Sequence, residues 1–397
     1  MDNNPPTRNQ SDPTLPQPQE MVESVVAQPK KSPKKGLKIS DISSSIKTFW
    51  HESSKKKRIV TVAILLALLV GTGTGIALLF RNDPPAPAPV IIEEPEPEAP
   101  PEPTTVASPL TGVQVKPEQA ELPVTAVMVE NSPDARPQSG LQEAGVVFEA
   151  MVEGGITRFM PLYQEDTPEV IGPIRSARRG YLDWLLGFDA ALAHVGGSPF
   201  SLQRIRNENI KDLDQFANPG AYYRSNNRFA PHNMYSSRAS LLEIHQARGY
   251  TSSSFSGFVR KNPEPAEMPT MSSVNVRISQ PLYNIRFDYD KTTNSYARFI
   301  GGVPHVDEQT NKQIMSEVFV VIVTSYSKDG IYSNYRTTGS GKAFIFQDGE
   351  VVEGIWEKPD KKTNFRFGDA NGSPIGLNPG KTWVTLATSD QDVDIKP

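Results

Sequence analysis

"EGGITRFMPLYQEDTPEVIGPIRSARR" runs from Glu153 to Arg179 and carries Arg158, Arg175, Arg178 and Arg179 without a single lysine. Gly154 and Gly155 interrupt two strand-like runs, "VVFEAMVE" (146–153) and "TRFMPLYQ" (157–164). A glycine pair between such runs predicts a tight turn joining two strands. The segment leads into "SARRGYLDWLLGF", which reads as a helix with Ser176 as its N-cap. Tyr181, Leu182, Leu185 and Leu186 stand there at i, i+4 spacings.

Outward from this stretch, "PVTAVMVEN" (123–131) and "AALAHVGG" (190–197) read as further strands. "SSRASLLEIHQARG" reads as a second helix, capped by Ser236 or Ser237 and stopped by Gly249. Residues 251–273 are polar and rich in Ser and Pro, and read as a connection. Beyond them "VNVRIS", "YNIRFDYD", "SYARFIG", "VFVVIVTSY", "KAFIFQ" and "EVVEGIWE" are strand-like. Asp348-Gly349 and Asn371-Gly372 carry hairpin-turn signals. The expected class is α+β. A mixed α/β exported domain over 110–250 precedes a β-rich exported domain over 274–397, both on a single membrane helix.

That helix is expected at "IVTVAILLALLVGTGTGIALLF" (59–80), 22 residues without a charge. At 1.5 Å per residue it extends about 33 Å, enough for a bilayer core of roughly 30 Å. Residues 1–58 hold 11 Lys+Arg against 6 Asp+Glu and read as a disordered basic cytoplasmic tail. Residues 81–109 hold one Arg against 6 Asp+Glu, in a Pro/Glu stalk of polyproline character. This asymmetry places the N-terminus in the cytoplasm and the later domains outside. A cleaved signal peptide would have a shorter apolar core and a shorter leader. With no cysteine in the chain, disulfides, thiolate metal sites, Cys nucleophiles and an N-terminal lipidated Cys are excluded. The exported residues 110–397 carry 29 Lys+Arg against 33 Asp+Glu, which argues against a nucleic-acid partner.

The ordered set "ARPQSGL", "EGGITRF", "IGPIRSAR", "GFDA", "HVGGSP" and "APHNMYSS", followed by "PHVDEQT", "GKAFIFQDGEVVEGIWEK" and "LNPGKTWV", resembles the YerB-like family of bacterial envelope proteins. The resemblance covers about residues 109–390. It implies an envelope location and a two-part architecture of unknown function, and no chemistry. Many members look like lipoproteins, a pattern from which this cysteine-free chain departs.

Between 150 and 260 there are eleven arginines and one lysine; between 261 and 397 there are five arginines and ten lysines. Arginine's flat, permanently charged fork suits partly buried pairing with carboxylate or phosphate. Basic residues at a helix start are unfavourable for the helix alone, so an anion is expected nearby. It is either a ligand or an internal acid: Glu149, Glu153, Asp183 or Asp189, with Arg179 and Asp183 able to pair at i, i+4. The ligand-binding candidates are Glu153, Arg158, Arg175, Arg178, Asp183, His194 and His232, with His305 and Asp307 in the second domain. His194 closes a strand, where sites often form in α/β sheets. "HVD" at 305–307 has the donors of a proton relay or a metal ligand pair but no third ligand at a telling spacing. No metal or cofactor is expected. Glu149 and Glu153, read on one strand face, are about 13 Å apart, too far for a glycosidase pair. Three functions remain open: a binder of an anionic cell-wall polymer or envelope protein, a hydrolase acting on a wall glycan, and an assembly factor without a ligand.

Overall fold

Runs such as "VVFEAM", "VFVVIV" and "TWVTLA" are apolar on both strand faces, as befits strands covered on both sides. In the computed structural model, which describes residues 54–56, 59–60, 62–67 and 104–397, they lie at the centre of a ten-stranded sheet. Its strands are β1 (Thr125–Val127), β2 (Val129–Glu130), β3 (Val146–Met151), β4 (Thr157–Tyr163) and β5 (Ala191–Ala193) from the first half. A second sheet begins with β6 (Ser273–Val276), β7 (Ile285–Asp290), β8 (Ser295–Ile300), β9 (Val303–Pro304) and β10 (Met315–Ser316). The large sheet then resumes with β11 (Val318–Val323), β12 (Gly339–Gln347), β13 (Glu350–Lys358), β14 (Arg366–Gly368) and β15 (Thr382–Ala387). Strand β16 (Val393–Lys396) closes the second sheet.

The large sheet has the order β14-β13-β12-β11-β15-β3-β4-β1-β5, with β2 beside β4; the smaller has β9-β8-β7-β6-β16, with β10 beside β8. The expected division at 251–273 is therefore not a division in space. Strand β15 pairs in parallel with β3, from Thr382↔Val146 to Thr385↔Glu149, and Ala99–Pro397 forms one unit. The connection itself packs on the fold. Phe258 is buried, and Arg260 donates to Asn378 O at 2.8 Å and to Leu110 O at 2.6 Å.

Side chains alternate between two cores, as strand geometry demands. Val318, Val320 and Ile322 join Val146, Phe148 and Ala150 on one face, under helices α1 (Arg179–Leu186) and α2 (Pro199–Asn207). Phe319 and Val321 face the smaller sheet and helix α3 (Arg238–Arg248). The first core is anchored by Trp184 of α1, stacked on Phe148 with ring centroids 5.6 Å apart. Helix α3 keeps its expected ends: Ser237 accepts from Ser240 N, and Gly249 ends it at φ 71. Helix α1 starts later than expected. Its N-cap is Arg178, and it has no side-chain cap. The β12–β13 hairpin turns at Asp348-Gly349, with φ 58 and 77.

Among the described residues no helix is long and apolar enough to cross a membrane. The expected span at 59–80 is not supported there, and its residues 61 and 68–80 lie outside the described set. The expected tail and stalk also lie largely outside it.

Candidate functional site

Strands β1, β3, β5, β11 and β15 all point the same way, because β15 is parallel to both β11 and β3, β1 is parallel to β5, and β4 is antiparallel to β1 and β3. Their carboxyl ends form one edge of the sheet, the usual place for sites in α/β proteins. Strand β4 begins at that same edge. The register Ala150↔Arg158 and Arg158↔Glu130 puts these three side chains on the α1 face.

Arg158 is 5% exposed. Its Nη1 donates to Ser176 O at 2.7 Å and its Nε has no partner. No carboxylate among the described residues forms an ion pair with it. Burial, then the neighbouring Arg178, pull its guanidinium down to about 10, against Glu153; Arg175 lowers it further. Arg178 pairs through Nε with Glu153 and donates to Ala177 O at 2.8 Å. Arg175 Nε stands 3.2 Å from Glu130 Oε2, within ion-pair distance but off the line of a hydrogen bond. The other Glu130 oxygen accepts from Ser132 Oγ at 2.9 Å and faces His232 Nδ1 at 3.0 Å. Thus, of the candidates, Arg158, Arg175, Arg178 and His232 gather around two acids, Glu130 and the candidate Glu153.

The remaining candidates go elsewhere. His194 is buried at the end of β5, 2.7 Å from Gly196 O and 3.0 Å from Asp212 Oδ1. It does not join the arginines, because its ring turns toward the 212–214 loop. Asp183 does not take Arg179. It accepts from Arg204 Nη2 at 2.7 Å and from Thr337 at 2.5 Å, while Arg179 reaches Asp329 at 3.4 Å. Glu149 and Glu153 do not share a strand face. Strand β3 ends at Met151, and a 3-10 turn carries Glu153 to the α1 side.

Glu149 instead points between the sheets and pairs with Arg298 at 2.8 Å, both fully buried. His305 Nδ1 accepts from Arg298, which leaves Nε2–H to donate to Gln138 Oε1 at 2.8 Å. Burial, then the Arg298 charge, hold His305 well below its ordinary 6.5. Asp307 accepts from the backbone N–H groups of Gln309 at 3.0 Å and Gln142 at 3.3 Å. His305 and Asp307 thus serve separate partners, and neither a relay nor a metal pair results. Among the described residues no three His, Asp or Glu side chains gather as metal ligands would.

Sequence reasoning missed Glu130 and Arg298. Glu130 closes the alternating run "VMVE" on the face of Met128, so its placement beside Arg158 needed only the β2–β4 register.

Residues 110–251 match "Protein of unknown function (DUF3048) N-terminal domain" and residues 274–384 match its C-terminal domain. The chain belongs to this YerB-like family of unknown function. It is 32% identical over 288 residues to "Putative lipoprotein YerB" of Bacillus subtilis (strain 168), covering 70% of this chain and 85% of that protein. The crystal structure of the Bacillus subtilis YerB protein is similar with a TM-score of 0.68 at 27% identity, covering 74% of this chain and 100% of that one.

Proposed function

We propose that this chain is a membrane-anchored envelope protein whose strand-end arginines hold an anionic cell-wall polymer. The observation that carries the reading is Arg158, a buried guanidinium without a carboxylate partner and flanked by two further arginines. Buried charges are normally paired or fully hydrogen-bonded. Buried Arg238 also lacks a carboxylate but donates to Thr125, Pro123 O and Gln164 O, whereas Arg158 donates only to Ser176 O and has donors left for an anion. Arg175 and Arg178 are each partly exposed and present their remaining donors beside it. Their forks suit phosphate or carboxylate groups. Anchoring rests on the apolar stretch 59–80 behind its basic leader, with the N-terminus cytoplasmic and the later residues outside. The Bacillus relative is called a lipoprotein. In this cysteine-free chain a helix takes the place of a lipid.

Full-length protein in detergent, bound to purified cell wall, tests this. Arg175→Lys and Arg178→Lys should melt close to wild type and be retained roughly tenfold more weakly, because lysine lacks the fork. Rising salt should elute the wild type. Unchanged retention in both folded variants contradicts the reading.

A further inference from the structure

We infer that the cleft between α1, α2 and the 326–335 hairpin is a glycan-binding subsite continuous with the arginine cluster, so that the polymer held is a sugar chain bearing anionic groups. This inference rests on the anion-binding reading and names the class of ligand.

The cleft encloses about 410 Å³, within the range of small-ligand sites. Its charges nearly balance. Arg204 holds Asp183 and Glu208 together, its Nη2 lying 2.7 Å from an oxygen of each. Lys361 approaches Glu208 at 3.5 Å. Such a site offers little to a strongly charged group but many directed donors and acceptors. Gln203, Asn207 and Asn334 add planar amides to the lining. Planar polar side chains present paired hydrogen-bonding atoms at the spacing of neighbouring sugar hydroxyls.

Phe200 supplies the apolar element. It is 41% exposed, and the Arg179 guanidinium lies 3.6 Å from its ring centroid. With one ring face covered by that guanidinium, the C–H face of a sugar ring would stack on the other, as apolar surface does on any aromatic face. Arg179, Phe200 and Asn334 also line a narrower groove that reaches Arg178 and Tyr332. One continuous surface therefore runs from the balanced cleft to the unbalanced arginines.

The two carboxylates bound to one Arg204 nitrogen are no farther apart than the ~5.5 Å of retaining glycoside hydrolases. Hydrolysis would need one of them kept protonated. The Arg204 hydrogen bond instead holds Glu208 below its ordinary range. Glu208 and Asp183 both accept from Arg204 Nη2 and Asp183 also accepts from Thr337, an arrangement that suits them to receive hydrogen bonds.

Three probes separate the claims: intact anionic wall polymer, the same glycan stripped of its anionic groups, and inorganic polyphosphate. Full-length wild type in detergent should bind all three, with binding to the stripped glycan insensitive to salt. Phe200→Ala and Asn207→Ala alter exposed positions. Each should weaken stripped-glycan binding about tenfold and leave polyphosphate binding intact. Arg178→Gln should do the reverse. If the wild type ignores the stripped glycan, or folded Phe200→Ala and Asn207→Ala variants bind it normally, the glycan subsite is wrong while the anion reading stands. If Arg178→Gln binds polyphosphate normally, the anion reading falls instead.

Discussion

The carboxyl edge of β3 and the start of β4 carry charged side chains on both faces of one sheet, and the two faces treat them oppositely. Between the sheets, Glu149 and Arg298 are fully buried and matched one to one. Glu149 also takes Trp383 Nε1 at 3.1 Å and Thr157 Oγ1 at 3.2 Å. The Arg298 guanidinium is walled by rings, 4.4 Å from the centroid of Trp383 and 5.3 Å from that of Phe159. On the α1 face, two acids pair with Arg175 and Arg178 and leave Arg158 unmatched, and the rim is partly open. Sealed and matched charge marks a structural joint between the two halves of the chain. Buried but unmatched charge at an open edge marks a place prepared for something from outside.

The sealed face should break hardest. Glu149→Gln leaves Arg298 charged in a dry interior, and losing one partner of a buried pair costs about 3–5 kcal/mol. Urea unfolding followed by tryptophan fluorescence measures this. A loss under about 1 kcal/mol would mean that the joint is wet or dispensable.

Acid sharpens the comparison. His305 titrates well below its ordinary 6.5 in the folded chain, and burial pulls His245 down to about 4. Between these values the unfolded chain binds more protons than the folded one. Stability is therefore full above pH 6.5 and declines as pH falls toward 4, by up to ~1.4 kcal/mol per pH unit for each histidine. His305→Asn should flatten this slope whatever it does to stability at neutral pH. An unchanged slope would remove His305 from the sealed network.

Much of this architecture was legible locally. The short, continuous β-branched run of "VFVVIV" and the Asp348-Gly349 turn located strands and hairpin, since both signals lie within a few residues. The excess of arginine over lysine singled out Arg158, Arg175 and Arg178, which the fold brings together at one edge of the sheet. The cap of α1 was read at Ser176 and lies at Arg178, because a serine ahead of an apolar periodicity looks like a cap even where the backbone is still extended. The shared sheet was not legible. The pairing of Thr382–Thr385 with Val146–Glu149 joins residues 236 positions apart, and strand composition does not encode the neighbour. Likewise Arg298 resembled any surface arginine until β8 placed it opposite Glu149.

The contrast between the faces rests on Arg158, and one experiment bears on it most directly. Melting curves are recorded for full-length wild type and Arg158→Met, each with and without purified anionic wall polymer. A buried charge without a partner is costly, and an apolar side chain of similar size removes that cost. Arg158→Met should therefore melt at or above the wild type when alone. It should also lose the upward shift that polymer gives the wild type, because a ligand stabilises only the state that binds it. A variant that melts several degrees lower, yet still gains the full shift from polymer, would show Arg158 to be another structural joint and contradict the division drawn between the two faces.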